Sequence, residues 1–399
     1  MGISTQPKLA DGLTVDILHA RAQRVLASIA QGAADRERER RLPYEQIKQL
    51  ASAQLLTFRI PKKYGGAGGR VQDVIRFLID LASVDSNTAQ ALRPAFAFIE
   101  DLLIDGSEAE KDLWFQRFLA GEIVGNAGWE VGGANGAIAT RLKREGDSFR
   151  VNGSKYYSTG GLYADWIAAV ALDENDQPTS FIVPREREGL ILQDDFDAMG
   201  QRLTASGTTT LHNVVVYQNE IRRRHSETAE RTIITPFFQL YLGAVEAGIA
   251  LNVLKDAVDL VKHHVRPIKH SSAEKSADDP YVRHTVGEIA ARAYAAEAVV
   301  MRAATSIDHA WENNFQNGTV NQAAIEVAKA QFVAIENTLK AAELAFDVGG
   351  ASATARKHNL DRHWRNARTV ANHNPRDWKA AVVGAWEISG EEPPRSGLF

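Results

Sequence analysis

The chain has 399 residues, 44% hydrophobic and 24% charged, with a formal net charge of -4. That length allows two or three packed regions, and the faintly acidic balance argues against nucleic-acid or membrane-surface partners, which want clustered basic charge. The absence of cysteine excludes disulfides, thiolate metal sites, iron–sulfur clusters and a cysteine nucleophile, and no metal site is expected. The first residues, Met1 to Gln6, run into charged, amphipathic sequence without a secretory apolar region. Gln6 spoils the myristoylation pattern, and no apolar run approaches ~18 residues. The expectation is a cytoplasmic protein without a membrane span.

Residues 1–120 read as amphipathic helices, with apolar residues three and four apart. Helices are predicted over Leu13–Ala30, Tyr44–Leu56, Val71–Ser83, Asn87–Ile104 and Glu108–Leu119, with Pro43 in the first helical position of the second. Lys62–Gly69 is glycine-rich, but it lacks the strand–G-x-G-x-x-G–helix context of a phosphate cradle, so it reads as a plain turn. Residues 121–231 change character to short β-branched and aromatic runs: Ser148–Val151, Trp166–Ala171, Thr179–Val183, Leu190–Leu192 and Thr208–Val216. Turn residues such as Asn152-Gly153 separate them, which fits a small antiparallel barrel or sandwich.

Helical patterning returns over residues 232–399. Thr232–His264 is apolar and rich in small residues, Asp279-Pro280 starts a helix reaching about Asn313, Asn321–Asp347 ends at Gly349-Gly350, and Arg376–Glu387 is a fourth candidate. The predicted class is α+β and multidomain: an N-terminal helical domain (1–120), a middle β domain (121–231) and a C-terminal four-helix bundle (232–399). The tail Glu391–Phe399, with Pro393-Pro394, reads as an extended arm packing on a neighbouring subunit.

Three motifs in order resemble the acyl-CoA dehydrogenase superfamily: Arg59-Ile60-Pro61-Lys62-Lys63-Tyr64-Gly65-Gly66, Asn152-Gly153-Ser154-Lys155-Tyr156-Tyr157-Ser158-Thr159-Gly160, and Asp361-Arg362-His363-Trp364-Arg365-Asn366-Ala367-Arg368-Thr369. Within it, the last run followed by His373-Asn374-Pro375, together with Gly200–Gly207 and Gly125-Asn126-Ala127, is similar to the dibenzothiophene monooxygenase group. The resemblance implies the acyl-CoA dehydrogenase fold and a two-component reaction. A separate NAD(P)H:flavin reductase supplies reduced FMN (FMNH2), which reacts with O2. The resulting flavin C4a-hydroperoxide passes one oxygen atom to a small organosulfur substrate such as a thiophene, sulfide or sulfone. It also implies a homotetramer, a dimer of dimers, for which the small-residue helix faces are suited.

Two alternatives stay open: an FAD-dependent acyl-CoA dehydrogenase and a flavin-dependent N-hydroxylase of an amine. A dehydrogenase needs a carboxylate within reach of the substrate's α-proton. The resemblance puts that base either after the arginine-rich segment or early in the bundle. Val370–Pro375 and Pro236–Leu242 contain none, which leaves Glu246 as a displaced candidate.

The remaining site residues follow from the resemblance. His373 would hold or protonate the distal peroxide oxygen, since an imidazole titrates near neutrality and can donate to a developing anion. Thr159, ahead of Ser158, would meet the flavin N5 edge through a hydroxyl. Asn126 would face the flavin or the peroxide. Arg266 would bind the flavin phosphate, often across a subunit interface, because a guanidinium forks onto phosphate oxygens. Gly349, Gly350 and Ser352 would add backbone N–H groups there. Phe196 would wall the substrate pocket, and His363 reads as structural. The group carries a histidine in its N-terminal helical domain; Ala91–Phe98 has none, so acid–base work is expected to rest on His373.

Overall fold

The computed structural model describes residues 12–131, 137–222, 232–316, 318–395 and 399. Seven helices come first: α1 (Val15–Ala30), α2 (Ala33–Glu39), α3 (Tyr44–Ser52), α4 (Val71–Ala82), α5 (Ser86–Ala91), α6 (Arg93–Asp105) and α7 (Glu108–Leu119). Local chemistry sets their ends. The Thr14 side chain accepts from the Ile17 N–H to start α1, and Ser107 with Glu110 forms a reciprocal capping box on α7. Pro43 is the N-cap of α3 rather than its first helical residue.

The single helix expected over Asn87–Ile104 is two, broken at Leu92. Pro94 has no N–H to give to the carbonyl four residues back, so the first helix cannot run through it. The break matters because it sets Arg93 at the start of α6, facing the interior of the molecule. The glycine-rich turn closes on itself: the N–H groups of Gly68 and Gly69 donate to the carbonyls of Ile60 and Phe58 at 2.8 and 2.7 Å. Those donors are spent, as a plain turn requires.

Among the described residues eight strands follow: β1 (Val124–Ala127), β2 (Arg141–Glu145), β3 (Ser148–Lys155), β4 (Trp166–Leu172), β5 (Pro178–Pro184), β6 (Leu190–Leu192), β7 (Thr209–Tyr217) and β8 (Ile221–Arg222). They form one sheet in the order β6-β7-β3-β2-β4-β5-β8, with β1 added alongside β4. The sheet is open rather than closed into a barrel, and mostly antiparallel. It is mixed because β1 pairs parallel to β4, Asn126 opposite Ala168, and β2 meets β4 in parallel at Arg141 and Leu172. β2 was invisible as a strand because only Leu142 of its five residues turns inward.

The C-terminal region holds α8 (Ile234–His263), α9 (Pro280–Glu312), α10 (Thr319–Leu344), α11 (Asp361–Ala371) and α12 (Arg376–Ser389). Helices α8, α9 and α10 pack on one another, α11 closes against α8 and α10, and α12 lies on α10. Asp279 caps α9 ahead of Pro280, as expected. By length and composition α8 could cross a membrane, the one described helix that could, but 78% of its most apolar window is buried inside the protein. It is the central core helix. Phe399 is buried on the chain's own bundle against Ala324, Ile325 and Ala328.

α8 also joins the bundle to the N-terminal helices through Gly248. A Cβ there would lie 2.4 Å from the Ala82 Cβ and 2.6 Å from the Ile79 carbonyl oxygen of α4. Backbone blocks the way, so Gly248→Ala is expected to destabilise the protein by about 1–3 kcal/mol through overpacking. Urea denaturation of the variant beside wild type checks this.

Candidate active site

Where the three regions meet lies a cavity of about 1440 Å³. Its walls come from α6, β1, the turn after β3, the loop before Gln201, the start of α8 and the end of α11. Four of the residues singled out in the sequence line it together: Asn126, Thr159, Phe196 and His373. Three do not. Ser158 turns into the sheet, where its hydroxyl accepts from Thr209 Oγ1 at 2.7 Å. Arg266 is exposed on the segment after α8, and Gly350 sits in a turn after α10. Neither belongs to the cavity wall, but they are near each other, since a Cβ on Gly349 would touch Leu260 and Val265.

One side of the cavity carries a hydroxyl chain. Thr159 Oγ1 lies 2.9 Å from Ser206 Oγ, which lies 2.7 Å from Thr204 Oγ1, and the latter donates to the Gln201 carbonyl at 2.9 Å. Ser206 and Thr204 sit inside the Gly200–Gly207 motif, yet nothing in their spacing from Thr159 marks them as its partners. Asn126 Oδ1 is buried without a hydrogen-bond partner. Such an acceptor costs about 1–3 kcal/mol if left unmet, so it belongs to a site that receives a donor. A flavin carries N–H donors on a flat ring, and this hydroxyl-lined, apolar-walled cavity fits one.

The rim is aromatic. Tyr157 holds a left-handed backbone (φ 56), and its ring packs 4.7 Å from Tyr156 and 6.5 Å from Phe196. A positive φ on a tyrosine costs roughly 1–3 kcal/mol and tends to mark functional sites. Phe196 is thus one part of a wall that includes Tyr156, Tyr157 and Trp129.

His373 meets Arg93 in the cavity wall. Arg93 Nη1 lies 2.8 Å from His373 Nε2 and donates to it, because a guanidinium only donates. Enclosure by protein, then the Arg93 charge, depress the imidazole to about 3. That contact favours the neutral ring, with Nε2 as the acceptor, on a residue that stands exposed in the cavity wall. Arg93 supplies the N–H groups, from the very stretch, Ala91–Phe98, that lacks a histidine. His363 is structural as expected: buried, its Nε2 is 2.9 Å from Asp256 Oδ2, tying α11 to α8.

At the two stretches where the resemblance would put a carboxylate base, the cavity wall carries none. Of Pro236–Leu242, Phe238 and Gln239 face the cavity; of Val370–Pro375, Val370, Asn372 and His373 do. Glu246 lies off the cavity wall, 1% exposed, with neither carboxylate oxygen partnered. Burial pushes its pKa well above the usual carboxylate range, opposed by the Arg368 charge. A carboxyl with a raised folded pKa weakens the fold as pH rises above its unfolded value. Glu246→Leu is therefore expected to raise the melting temperature, more at pH 8 than at pH 5, with turnover unchanged. Loss of turnover on this substitution would reinstate Glu246 as a reacting group.

Profiles of the acyl-CoA dehydrogenase N-terminal, middle and C-terminal domains match residues 16–122, 129–214 and 240–378. The chain is 27% identical to the "Probable FMNH2-dependent monooxygenase SfnC" of Pseudomonas putida, over 94% of this chain and 95% of that protein. Among solved structures it resembles the methanesulfinate monooxygenase MsuC of Pseudomonas fluorescens, with a TM-score of 0.87 and 27% identity over 95% of this chain and 99% of that one. FMN-bound TdsC of Paenibacillus sp. A11-2 superposes with a TM-score of 0.85 and 28% identity, over 95% of this chain and 100% of that one. With the domain order, the motifs and the cavity, these matches show that the chain belongs to the acyl-CoA dehydrogenase superfamily, close in sequence and structure to the FMN enzymes of dibenzothiophene monooxygenase type.

Proposed function

We propose that this protein is an FMNH2-dependent monooxygenase that oxygenates a small organosulfur substrate, with reduced flavin supplied by a separate reductase. The observation that carries this is the cavity wall at the two places where a dehydrogenase would present its base. Phe238 and Gln239 stand at one, Asn372 and His373 at the other. When bound, reduced FMN would supply two electrons to O2. The chain's own residues would do the rest. Asn126 Oδ1 would accept a flavin N–H, and Thr159, held by Ser206, would offer its hydroxyl to the ring edge. His373 would fix the Arg93 guanidinium, whose N–H groups favour negative charge developing on oxygen. The aromatic rim of Tyr157 and Phe196 would exclude water and seat the substrate.

Arg266, with the Gly349-Gly350 turn and Ser352, would bind the flavin phosphate of a neighbouring subunit in a homotetramer, a dimer of dimers. The three regions 1–120, 121–231 and 232–399 would be its domains, and the cytoplasm, where NAD(P)H-dependent reductases work, its location. The test is calorimetric titration with reduced FMN, oxidised FMN and FAD. Tightest binding of reduced FMN is expected. Preference for FAD, with bleaching by an acyl-CoA under anaerobic conditions, would sink the reading.

A further inference from the structure

Three arginines with largely buried side chains are matched to carboxylates. Arg36 meets Asp85 at 3.2 Å, Arg59 meets Glu100 at 2.8 Å and Arg362 meets Asp256 at 2.5 Å. Arg222, in the cavity wall, holds Asp101 at 2.8 Å and Glu110 at 3.4 Å, and Glu130, also in the wall, is held by Lys155 at 2.5 Å. Arg93, partly exposed in the cavity wall, has no carboxylate within ion-pair distance among the described residues; its one hydrogen bond to a side chain there is to the ring of His373. Asp101, Asp105, Glu130 and Asp197 share the cavity, and none reaches it. Its other flank is the Phe238 ring, 5.9 Å away.

The guanidinium has five N–H donors, and one is spent on His373. The remaining donors open on the cavity that Arg93 lines, where an anion can complete the charge. We propose that Arg93 is the recognition residue for an anionic substrate head, and that the substrate is a small organic sulfinate. This rests on the monooxygenase reading and narrows it. A sulfinate combines two charged oxygens, which match the guanidinium fork, with a lone pair still on sulfur to take up oxygen. A sulfonate has the same charged head but no lone pair left. The reaction balances as sulfinate plus O2 plus FMNH2 giving sulfonate, water and FMN. One oxygen atom joins sulfur, and the other leaves as water with the two electrons and two protons of the reduced flavin. Burial draws Arg93 down to about 10, so it stays charged at working pH and available to an anion.

The experiment is binding of two matched probes that cannot turn over at sulfur, methanesulfonate and neutral dimethyl sulfone. Both are titrated calorimetrically into protein loaded with oxidised FMN, in wild type, Arg93→Gln and Arg93→Lys. Methanesulfonate should bind wild type more tightly than the sulfone does. Arg93→Gln should weaken methanesulfonate by about 30-fold or more, the scale of a hydrogen-bonded charge. Arg93→Lys should fall between, and sulfone and FMN binding should hold. Equal affinity for the two probes, no methanesulfonate binding to wild type, or unchanged methanesulfonate binding in Arg93→Gln overturns the proposal. So does a matching loss of FMN affinity, which would assign the guanidinium to the flavin. Arg93→Lys keeps the charge and so guards against a fold defect in Arg93→Gln. No oxygen chemistry enters these titrations, so their failure is separable from failure of the monooxygenase reading, which turnover tests.

Discussion

His373→Ala is expected to lower the oxygenation rate by about 10²–10³-fold, the scale of losing a positioned polar group at the reacting centre. FMN affinity should be preserved, because the imidazole is bonded to Arg93 at 2.8 Å and not to the hydroxyl chain of Thr159, Ser206 and Thr204. The loss should appear in kcat rather than KM, with more of the consumed O2 released as hydrogen peroxide. His373→Gln, whose side-chain carbonyl can still accept from Arg93, should recover part of the rate. The pH profile discriminates further. A histidine depressed to about 3 stays neutral from pH 5 to 8, so wild-type kcat should show no inflection near the ordinary histidine value. Stopped-flow turnover with peroxide detection measures both. An inflection near pH 6.5 that vanishes in His373→Ala would contradict the neutral imidazole.

Lys155→Met should be the most damaging substitution for stability, at about 3–5 kcal/mol, the usual cost of leaving a buried charge without its partner. Lys155 Nζ donates to Glu130 Oε1 at 2.5 Å, with side-chain exposures of 0% and 10%. The carboxylate also accepts from the N–H of Ala139 at 2.7 Å, the N–H of Thr140 at 3.1 Å and Thr140 Oγ1 at 2.7 Å. Methionine keeps the stem's bulk and strands the carboxylate. Burial pulls the lysine down while Glu130 holds it up, so the pair is ionised against a desolvation cost. The double variant Lys155→Met/Glu130→Gln should be more stable than Lys155→Met alone.

The same group sets an acid limit. Burial pushes Glu130 up, but Lys155, Thr140 and two backbone N–H groups more than offset it and bring it to about 2, from an ordinary 4.5. A depressed carboxylate gives its full stabilisation above the unfolded value and loses it as pH falls through the folded one. The contribution should therefore fade between about pH 4.5 and 2, and Lys155→Met should flatten that dependence. Denaturation midpoints across that window test it. Glu130 also borders the cavity, next to Trp129, whose carbonyl takes the Tyr156 N–H at 2.9 Å. Loosening this clasp should slacken the aromatic rim.

Elements with strong local signals were legible in the sequence. α7 and β6 lie where periodicity puts them, and α9 begins at the expected Asp279-Pro280. The α5–α6 break was missed although Pro94 announces it, because apolar periodicity runs through the interruption. β2 was missed because one inward leucine among charged residues makes no pattern. At the site, Asn126, Thr159, Phe196 and His373 could be named from motifs because each lies in one. Thr159 stood ahead of Ser158 in the sequence, but that Ser158 turns wholly into the sheet is set by the turn after β3, with its left-handed Tyr157, which no local pattern announces. The Arg93–His373 bond joins residues 280 apart, and no local signal predicts such a pair. The depressed imidazole follows from that bond and from enclosure, both properties of the fold alone.

The central claim is that this cavity transfers oxygen rather than removing hydride. The most direct measurement is turnover under ¹⁸O2 with a flavin reductase, NADH and FMN, using methanesulfinate, dimethyl sulfone and dibenzothiophene as separate substrates, read by mass spectrometry. One labelled oxygen atom per product molecule from an organosulfur substrate is the predicted result. No label in any product, alongside oxygen-independent oxidation of an acyl-CoA, would contradict it.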